Sequence, residues 1–394
     1  AALRRHLRGR LALDRPTRLL YATDASLYRC EPAGVFWPRD EEDLVLAVRL
    51  AAEHGLPLAP RGAGTSLSGQ ALSPGVVVDL SHWRGLRVDA AARRCVAGPG
   101  AVIDAIDRAA APHGLRYGPA PASSNRATLA GVLGNNGSGP HSIRFGMAET
   151  ALRRARVLLS DGGIREFRDG DLDETDALTA RALALADRVQ DSPRWPRTWR
   201  NASGYNLRAI RRRQSLLPLL AGSEGTLGIL LEIEVELVER PRRSLMAIFF
   251  HDELLDALRA VPALLETRPA AIELMDRKLL GLAQRSAHFR MPLLESADAD
   301  ILVVEYLDDP GAADKARALG ARHVIEDPRE QDGIWRTRKE GLGILMSSRA
   351  ERKPVPFIED CAVTVEALPE YVERLDRIIR AHGTESSYYA HASA

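Results

Sequence analysis

Pro60-Arg61-Gly62-Ala63-Gly64-Thr65-Ser66-Leu67-Ser68-Gly69-Gln70 is a loop of Gly, Ser and Thr, and the residues after it set its meaning. Pro74-Gly75 come next, then Val76-Val77-Val78-Asp79-Leu80, a β-branched run that predicts a strand. A Rossmann dinucleotide fingerprint needs a helix directly after its glycines, because the helix N-terminus receives the pyrophosphate. No helix is predicted here, so the loop is expected to bind an anion with its own backbone N–H groups, as a nest. Glycine at 62, 64 and 69 permits positive φ and close approach of a ligand, while Thr65, Ser66 and Ser68 add hydroxyl donors.

Upstream of the loop, Val35-Phe36-Trp37 is a short apolar run ended by Pro38. Asp40 is placed to cap a helix whose first turn carries Glu41, Glu42 and Asp43, favourable at the positive end of the helix dipole. Leu44, Val45, Val48, Ala51 and Ala52 recur at helical spacing until Gly55, and Leu56 to Ala59 reads as a second strand. Strand, helix and strand in close succession predict a parallel β-α-β unit. Residues 1–31 are Arg-rich and weakly patterned, a lead segment expected only to pack on the domain after it.

Downstream, Ala97-Gly98-Pro99-Gly100 precedes a helix with Val102, Ile103, Ile106, Ala109 and Ala110 on one face, ended near Gly114. Gly118-Pro119-Ala120-Pro121-Ala122-Ser123-Ser124-Asn125 is the next stretch. Thr128 then caps a short helix that runs into Gly131-Val132-Leu133-Gly134-Asn135-Asn136-Gly137-Ser138-Gly139-Pro140-His141-Ser142. So small and polar a segment, with hardly a charge in it, forms no core alone; it is either disordered or wraps a polar ligand. Arg156 to Leu159, the turn Asp161-Gly162-Gly163 and Ile164 to Phe167 predict a hairpin. A third glycine loop, Leu219 to Gly228, feeds a strand with Ile229, Leu231, Ile233, Val235 and Leu237 on one face and Glu232, Glu234 and Glu236 on the other. Pro241 and Arg242-Arg243 mark a boundary. Beyond it, strands at 245–250, 271–275, 300–306 and 355–359 and helices at 252–266, 334–346 and 366–382 do not alternate strictly, which predicts an antiparallel α+β domain.

The chain has 394 residues, beyond the ~250–300 at which single cores stop growing, so two domains are expected. Hydrophobic residues at 45% and charged residues at 27% exclude a disordered, collagenous or coiled-coil chain. A formal charge of +1 predicts neither a nucleic-acid nor a membrane partner. Only Lys278, Lys315, Lys339 and Lys353 are lysines, so the basic residues are almost all Arg, which points to genomic base composition. Cys30, Cys95 and Cys361 are far apart and form no C-x-x-C pair, which argues against a disulfide framework or an iron–sulfur or zinc site inside this chain. A cytoplasmic setting, or one peripheral to the inner membrane, is the expectation, with no transmembrane segment. There is no initiator Met, and Tyr388 to Ala394 reads like a strand entering a loop, so a piece of a longer polypeptide is expected.

The order of these loops resembles the vanillyl-alcohol-oxidase-type (PCMH-type) FAD-binding flavoproteins, and more narrowly the FAD-linked oxidases acting on D-2-hydroxy acids such as D-lactate, glycolate or D-2-hydroxyglutarate. The matching stretches are Pro38-Arg39, Pro60 to Gly69, Val77 to Leu80, Pro121 to Asn125, Gly134 to His141, Ser203-Gly204-Tyr205-Asn206-Leu207 and Leu220 to Ile229. The resemblance implies an α+β fold: a two-subdomain FAD-binding domain at 32–240, then an antiparallel α+β cap of the FAD-linked oxidase type at 241–394. It implies that Arg61, Gly62, Ala63, Gly64, Thr65, Ser66, Gly69 and Gln70 grip the FAD pyrophosphate. Pro121, Ala122, Ser123, Thr128, Gly131, Asn135, Asn136, Gly137, Ser138, Gly139, His141, Ser142 and Ile143 would pass along the flavin and ribityl chain. Glu224, Gly228 and Ile229 would close over the adenosine. Relatives with covalent flavin carry His where this chain has Thr65, so non-covalent FAD is implied.

In the C-terminal half the resemblance continues at Ala271 to Asp276, Trp335 to Gly341, Pro356 to Asp360 and Tyr389 to Ser393. A 2-hydroxy acid needs a cation for its carboxylate and a group to take the hydroxyl proton as hydride leaves for the flavin. By motif position Arg338 resembles the carboxylate-binding arginine; the alternative is a surface Arg on the 334–346 helix, as expected for Arg336 and Lys339. His391 resembles the first His of a family motif that serves as base or divalent-metal ligand, although Ala390 and Ser393 replace its usual glycines and the longer, iron–sulfur-bearing members look closer. The metal site would be incomplete here: a zinc or manganese ion, and an iron–sulfur cluster, would need chain beyond residue 394. The implied partners are a small 2-hydroxy acid and an electron acceptor, either a quinone, a cytochrome or an iron–sulfur protein. The alternatives are an FAD- and NADPH-dependent reductase on the same scaffold, and a flavin-binding fragment inactive without further chain. Gly222-Ser223-Glu224-Gly225 lacks the spacing of a nucleophile elbow, and Arg211-Arg212-Arg213 reads as a solvated loop.

Overall fold

The computed structural model describes residues 2–190, 192–286, 289, 291, 293, 298–347, 351 and 353–393. Val76–Asp79 is buried along its whole length, with Val77 and Val78 fully so, and such a strand needs neighbours on both sides. It has them: Gly34–Trp37 pairs on one side and Leu58–Arg61 on the other, both parallel. The predicted β-α-β unit therefore exists with this third strand inserted between its two strands. Its crossover is the helix Glu41–Glu53, which Asp40 caps by accepting from the Asp43 N–H at 3.0 Å. Leu44, Ala47, Val48 and Ala51 face the sheet. The lead segment does more than pack. Arg10–Ala12 adds an antiparallel edge strand, and the buried Asp43 carboxylate accepts from the backbone N–H groups of Arg8, Gly9 and Arg39.

A second, antiparallel sheet runs in the order Leu86–Asp89, Arg94–Ala97, Ile229–Glu236, Leu152–Leu158, Ile164–Arg168. The alternation in Ile229–Glu236 appears as read, with Ile229, Leu231, Ile233 and Val235 buried. On the opposite face Arg154 bridges Glu232, Glu234 and Glu166, which offsets like-charge repulsion along the strand. The helices Ile103–Ala110 and Leu129–Gly134 pack on this sheet, with Thr128 capping the second as expected. Arg211 to Arg213 is not a solvated loop. It ends the helix Arg208–Arg213, and Arg213 is drawn in by Glu149 and Asp169.

The C-terminal half is one antiparallel sheet in the order His323–Ile325, Ser244–His251, Asp300–Leu307, Ala271–Met275, Tyr389–His391. Both faces are covered: Leu254–Glu266, Ala312–Ala318 and Leu368–Ala381 pack on one, and Arg277–Gln284, Pro328–Lys339 and Gly341–Met346 on the other. Asp300–Leu307 is buried from end to end as a result. Two expectations fail here. No strand forms at 355–359, because Pro354 and Pro356 supply no N–H to a ladder, and Val355 and Phe357 stay exposed. The helix expected at 334–346 begins earlier, where Asp327 caps and Pro328 occupies the first turn, and it breaks at Glu340.

Candidate functional site

The three glycine loops converge on one cleft of about 920 Å³. Absence of side chains lets them meet. A Cβ on Gly62 would stand 2.6 Å from Thr128 Oγ1 and 3.3 Å from the Gly131 Cα, and one on Gly225 would stand 2.6 Å from Pro60 Cγ. Gly62 therefore serves close approach and does not adopt positive φ, whereas Gly64 at 68° and Gly69 at 83° do. Polar contacts complete the joint. Asn135 Nδ2 donates to Ser66 Oγ at 3.0 Å, and the Glu224 N–H donates to the Gly134 carbonyl at 2.8 Å.

Of the residues expected at a cofactor, Arg61 to Ser66, Gln70, Thr128, Gly131, Asn135, Glu224, Gly228 and Ile229 line this cleft. Gly69, Pro121 to Ser123 and Asn136 to Ser142 do not, and Ile143 lines a separate cleft beside Trp199, Thr364 and Ser393. The N–H groups of Ala63, Gly64, Thr65, Ser66 and Leu67 donate to no acceptor among the described residues. Four of these five, Ala63 to Ser66, line the cleft, and consecutive unpaired donors there are the nest an anion requires. Arg61 contributes through its backbone alone: its η nitrogens donate to the Tyr21 and Thr23 carbonyls at 3.0 and 2.8 Å, and its guanidinium stacks on the Tyr21 ring. Glu224 is the carboxylate on the lining, and burial holds its carboxyl above the usual range. The free amides on its lining fit a diphosphate.

A second constellation stands on the cap sheet. Glu273 sits in the fully buried strand Ala271–Met275, in register with His391 on the neighbouring edge strand. Its Oε1 meets His391 Nδ1 at 2.6 Å, and its Oε2 accepts from Arg338 Nε at 2.6 Å. Burial opposes the charge on Glu273, but His391 and Arg338 outweigh it and hold the carboxyl below its ordinary value. Burial lowers the His391 imidazole against the pull of Glu273, with Arg338 and Arg200 adding to the lowering. Arg338 is only 6% exposed, so the surface-helix alternative does not hold, whereas Arg336 and Lys339 are exposed. Its guanidinium stacks on Tyr389 at 5.0 Å from the ring centroid. Its two η nitrogens have no hydrogen-bond partner among the described residues.

The imidazole of His141 reaches across to the buried carboxylate of Glu305, which also accepts from Ser244 Oγ at 2.7 Å. That ring meets Trp335 edge-on at 5.6 Å between centroids. Glu273 and Arg200 are not site residues on a reading of the sequence. An acid in the apolar run Ala271-Ile272-Glu273-Leu274-Met275 is itself a signal, because a buried carboxylate needs a partner. Arg200 offers none among so many arginines. Among the described residues, no group of three or more His, Cys, Asp or Glu is placed to hold a metal ion. None of the described helices is long and apolar enough to cross a membrane.

Comparison with known proteins matches residues 32–168 to the FAD binding domain and residues 240–394 to the C-terminal domain of FAD linked oxidases. The chain is 29% identical to the D-2-hydroxyglutarate dehydrogenase of Pseudomonas putida over 98% of its own length and 42% of that protein. It is 26% identical to the D-lactate dehydrogenase of Archaeoglobus fulgidus, covering 90% of this chain and 72% of the relative. It is also 26% identical to the glycolate oxidase subunit GlcD of Escherichia coli, over 99% and 73%. The chain thus spans less than half the length of the D-2-hydroxyglutarate dehydrogenases it matches. A solved alkyldihydroxyacetonephosphate synthase shares the fold, with a TM-score of 0.66, 16% identity and coverage of 94% of this chain and 72% of that one. With an FAD binding domain in front and the C-terminal domain of FAD linked oxidases behind, the chain belongs to the PCMH-type FAD-linked oxidases.

Proposed function

We propose that the chain oxidises a D-2-hydroxy acid of the D-lactate type to the 2-oxo acid, with FAD held non-covalently by residues 32–240 and the substrate held under a cap of residues 241–394. The observation that carries this reading is the Arg338–Glu273–His391 cluster, coupled electrostatically through Arg200 to the 138–139 loop. When bound, FAD supplies the hydride acceptor. The free amides of Ala63 to Ser66 would hold its diphosphate, and Thr65 offers no imidazole or thiol for attachment. Of the 121–142 segment, Thr128, Gly131 and Asn135 line the cleft and would lie along the bound cofactor.

Glu273 takes Arg338 by Nε, which fixes the guanidinium plane and leaves the η pair for the substrate carboxylate. The same carboxylate receives the Nδ1 proton of His391, so the lone pair stays on Nε2. Burial keeps this imidazole neutral, the form in which Nε2 accepts the hydroxyl proton while the Cα hydrogen departs as hydride. The electron acceptor would be a quinone, a cytochrome or an iron–sulfur protein.

The test is anaerobic mixing of the FAD-loaded chain with a panel of D- and L-2-hydroxy acids. D-acids are expected to bleach the visible flavin band and L-acids not to. The R338M variant should raise the concentration needed by about 10- to 100-fold, the worth of hydrogen bonds to a charged group. A chain that takes up no FAD, or whose flavin is bleached by NADPH and by no hydroxy acid, refutes the reading.

A further inference from the structure

Arg200 is none of the residues expected at a site, yet its surroundings are those of a functional group. It is 9% exposed. Its η1 nitrogen donates to Ser138 Oγ at 3.1 Å and η2 to the Gly139 carbonyl at 3.2 Å, so it grips the loop that faces the cap. Its guanidinium lies over the Trp199 ring at 4.8 Å, and Trp199 Nε1 donates to the Ser393 carbonyl at 3.3 Å. The group is thereby held between the two halves of the chain. Its Nε is sealed from solvent with no partner, and no carboxylate pairs with it among the described residues.

The charge balance of the cluster does not close. Trp199 is tied to Ser393, two residues past His391, so Arg200 lies next to the strand end whose histidine meets Glu273, and the charges of Glu273 and Arg338 both act on it: two guanidiniums and one fully buried carboxylate. Glu273 is already committed to Arg338 Nε and His391 Nδ1. The other acids in reach are poor counter-ions. Asp360 is exposed and screened by solvent, and burial with Asp360 nearby pushes the Glu359 carboxyl towards its neutral form. Burial, with the like charge of Arg338 added, brings Arg200 down to about 10 against the pull of Glu273 and Asp360. A buried guanidinium without a counter-ion is strongly unfavourable, and a site that retains one is built to receive an anion. Both η nitrogens keep a second N–H beyond those given to Ser138 and Gly139.

We propose that Arg200 is a substrate-binding residue, forming with Arg338 a two-guanidinium clamp on the substrate carboxylate in which Arg200 supplies the charge the anion neutralises. The clamp rests on the hydroxy-acid reading above but specifies something it does not: Arg338, neutralised by Glu273, sets orientation, and Arg200 sets anion affinity.

The test reads binding and not turnover. The FAD-loaded chain, native and R200M, is titrated with pyruvate and with its neutral amide, pyruvamide, and followed by perturbation of the flavin spectrum. The methionine keeps an apolar stem against Trp199 and removes the charge. The expected result is a loss of at least about 10-fold in pyruvate affinity with pyruvamide changed by less than about 2-fold. R200K, which keeps the charge but not the fork, is expected to weaken pyruvate by about 3-fold and to spare pyruvamide, and it decides the matter if R200M fails to hold FAD. Equal losses for acid and amide would show that Arg200 only shapes the loop, and no loss for either would show that it faces no ligand; both overturn the clamp. A native chain that binds FAD but neither compound defeats the hydroxy-acid reading itself, and the clamp with it.

Discussion

Replacing Glu273 by glutamine isolates the charge at the centre of the cap, because the two side chains have nearly the same shape. Glu273 accepts from Arg338 and meets His391, each at 2.6 Å, with no solvent access. A glutamine has one oxygen to offer where two are needed, and its NH₂ group would confront a donor at the other. One charge-assisted bond is lost outright, about 1.5–3 kcal/mol, and the buried Arg338 loses its counter-ion, so a total of about 3–5 kcal/mol is expected. For a unit of the cap's size, about 2–4 °C per kcal/mol, the melting temperature should fall by about 6–20 °C. The pH dependence supplies the check. The native carboxyl is held below its ordinary value of 4.5, so its stabilisation is present above that pH and is lost as pH falls through the depressed value. Calorimetry of native chain and E273Q should therefore show a gap that is full at pH 7 and narrows below about pH 4.5. Equal melting temperatures at pH 7, or a gap that widens in acid, would refute the pairing.

Two further outcomes are expected. The G62A variant forces a Cβ against the hydroxyl of a capping, β-branched threonine, and overpacking of this kind costs about 1–3 kcal/mol; FAD content after purification should drop, while G85A, with nothing within 4 Å, should keep it. Because burial lowers His391, its base form prevails above its ordinary value of about 6.5, and kcat/KM should be flat above that pH and fall as pH drops through the lowered value. H391Q should lose about 10²–10⁴ in kcat together with that acid limb, and a limb that survives the substitution assigns the proton to another group.

Much of the fold is legible in the sequence because its signals are local. Asp40 and Thr128 cap where their positions predict, and the alternation after Ile229 gives the buried face residue by residue. The glycine loops are legible as a set, but not how Gly62 works, since the atoms it makes room for belong to residues 128 and 131. The 355–359 strand rests on apolar content alone, and Pro354 and Pro356 outweigh it. The helix Ala177–Val189 escapes notice because its buried side is mostly small residues, Thr179, Ala182 and Ala186 with Leu183, too small to stand out as a stripe. Site residues divide along the same line. His391 and Arg338 sit in recognisable stretches, whereas the partner that joins them, Glu273, becomes visible only when a strand from residues 271–275 is laid beside one from 389–391. Arg200 holds the 138–139 loop while its neighbour Trp199 reaches Ser393, and no short window of sequence contains that relation.

The edge strand Tyr389–His391 carries a consequence for biogenesis. It docks on a partner strand 118 positions earlier, so the nascent polypeptide holds Glu273 ready long before its histidine emerges. Until then Ala271–Met275 presents an unzipped margin of mostly greasy residues, the kind of template on which chains stick to one another. Docking those three residues closes that margin and installs the imidazole together, so under the proposed mechanism a chain cut short of residue 389 is expected to be both inert and prone to precipitate.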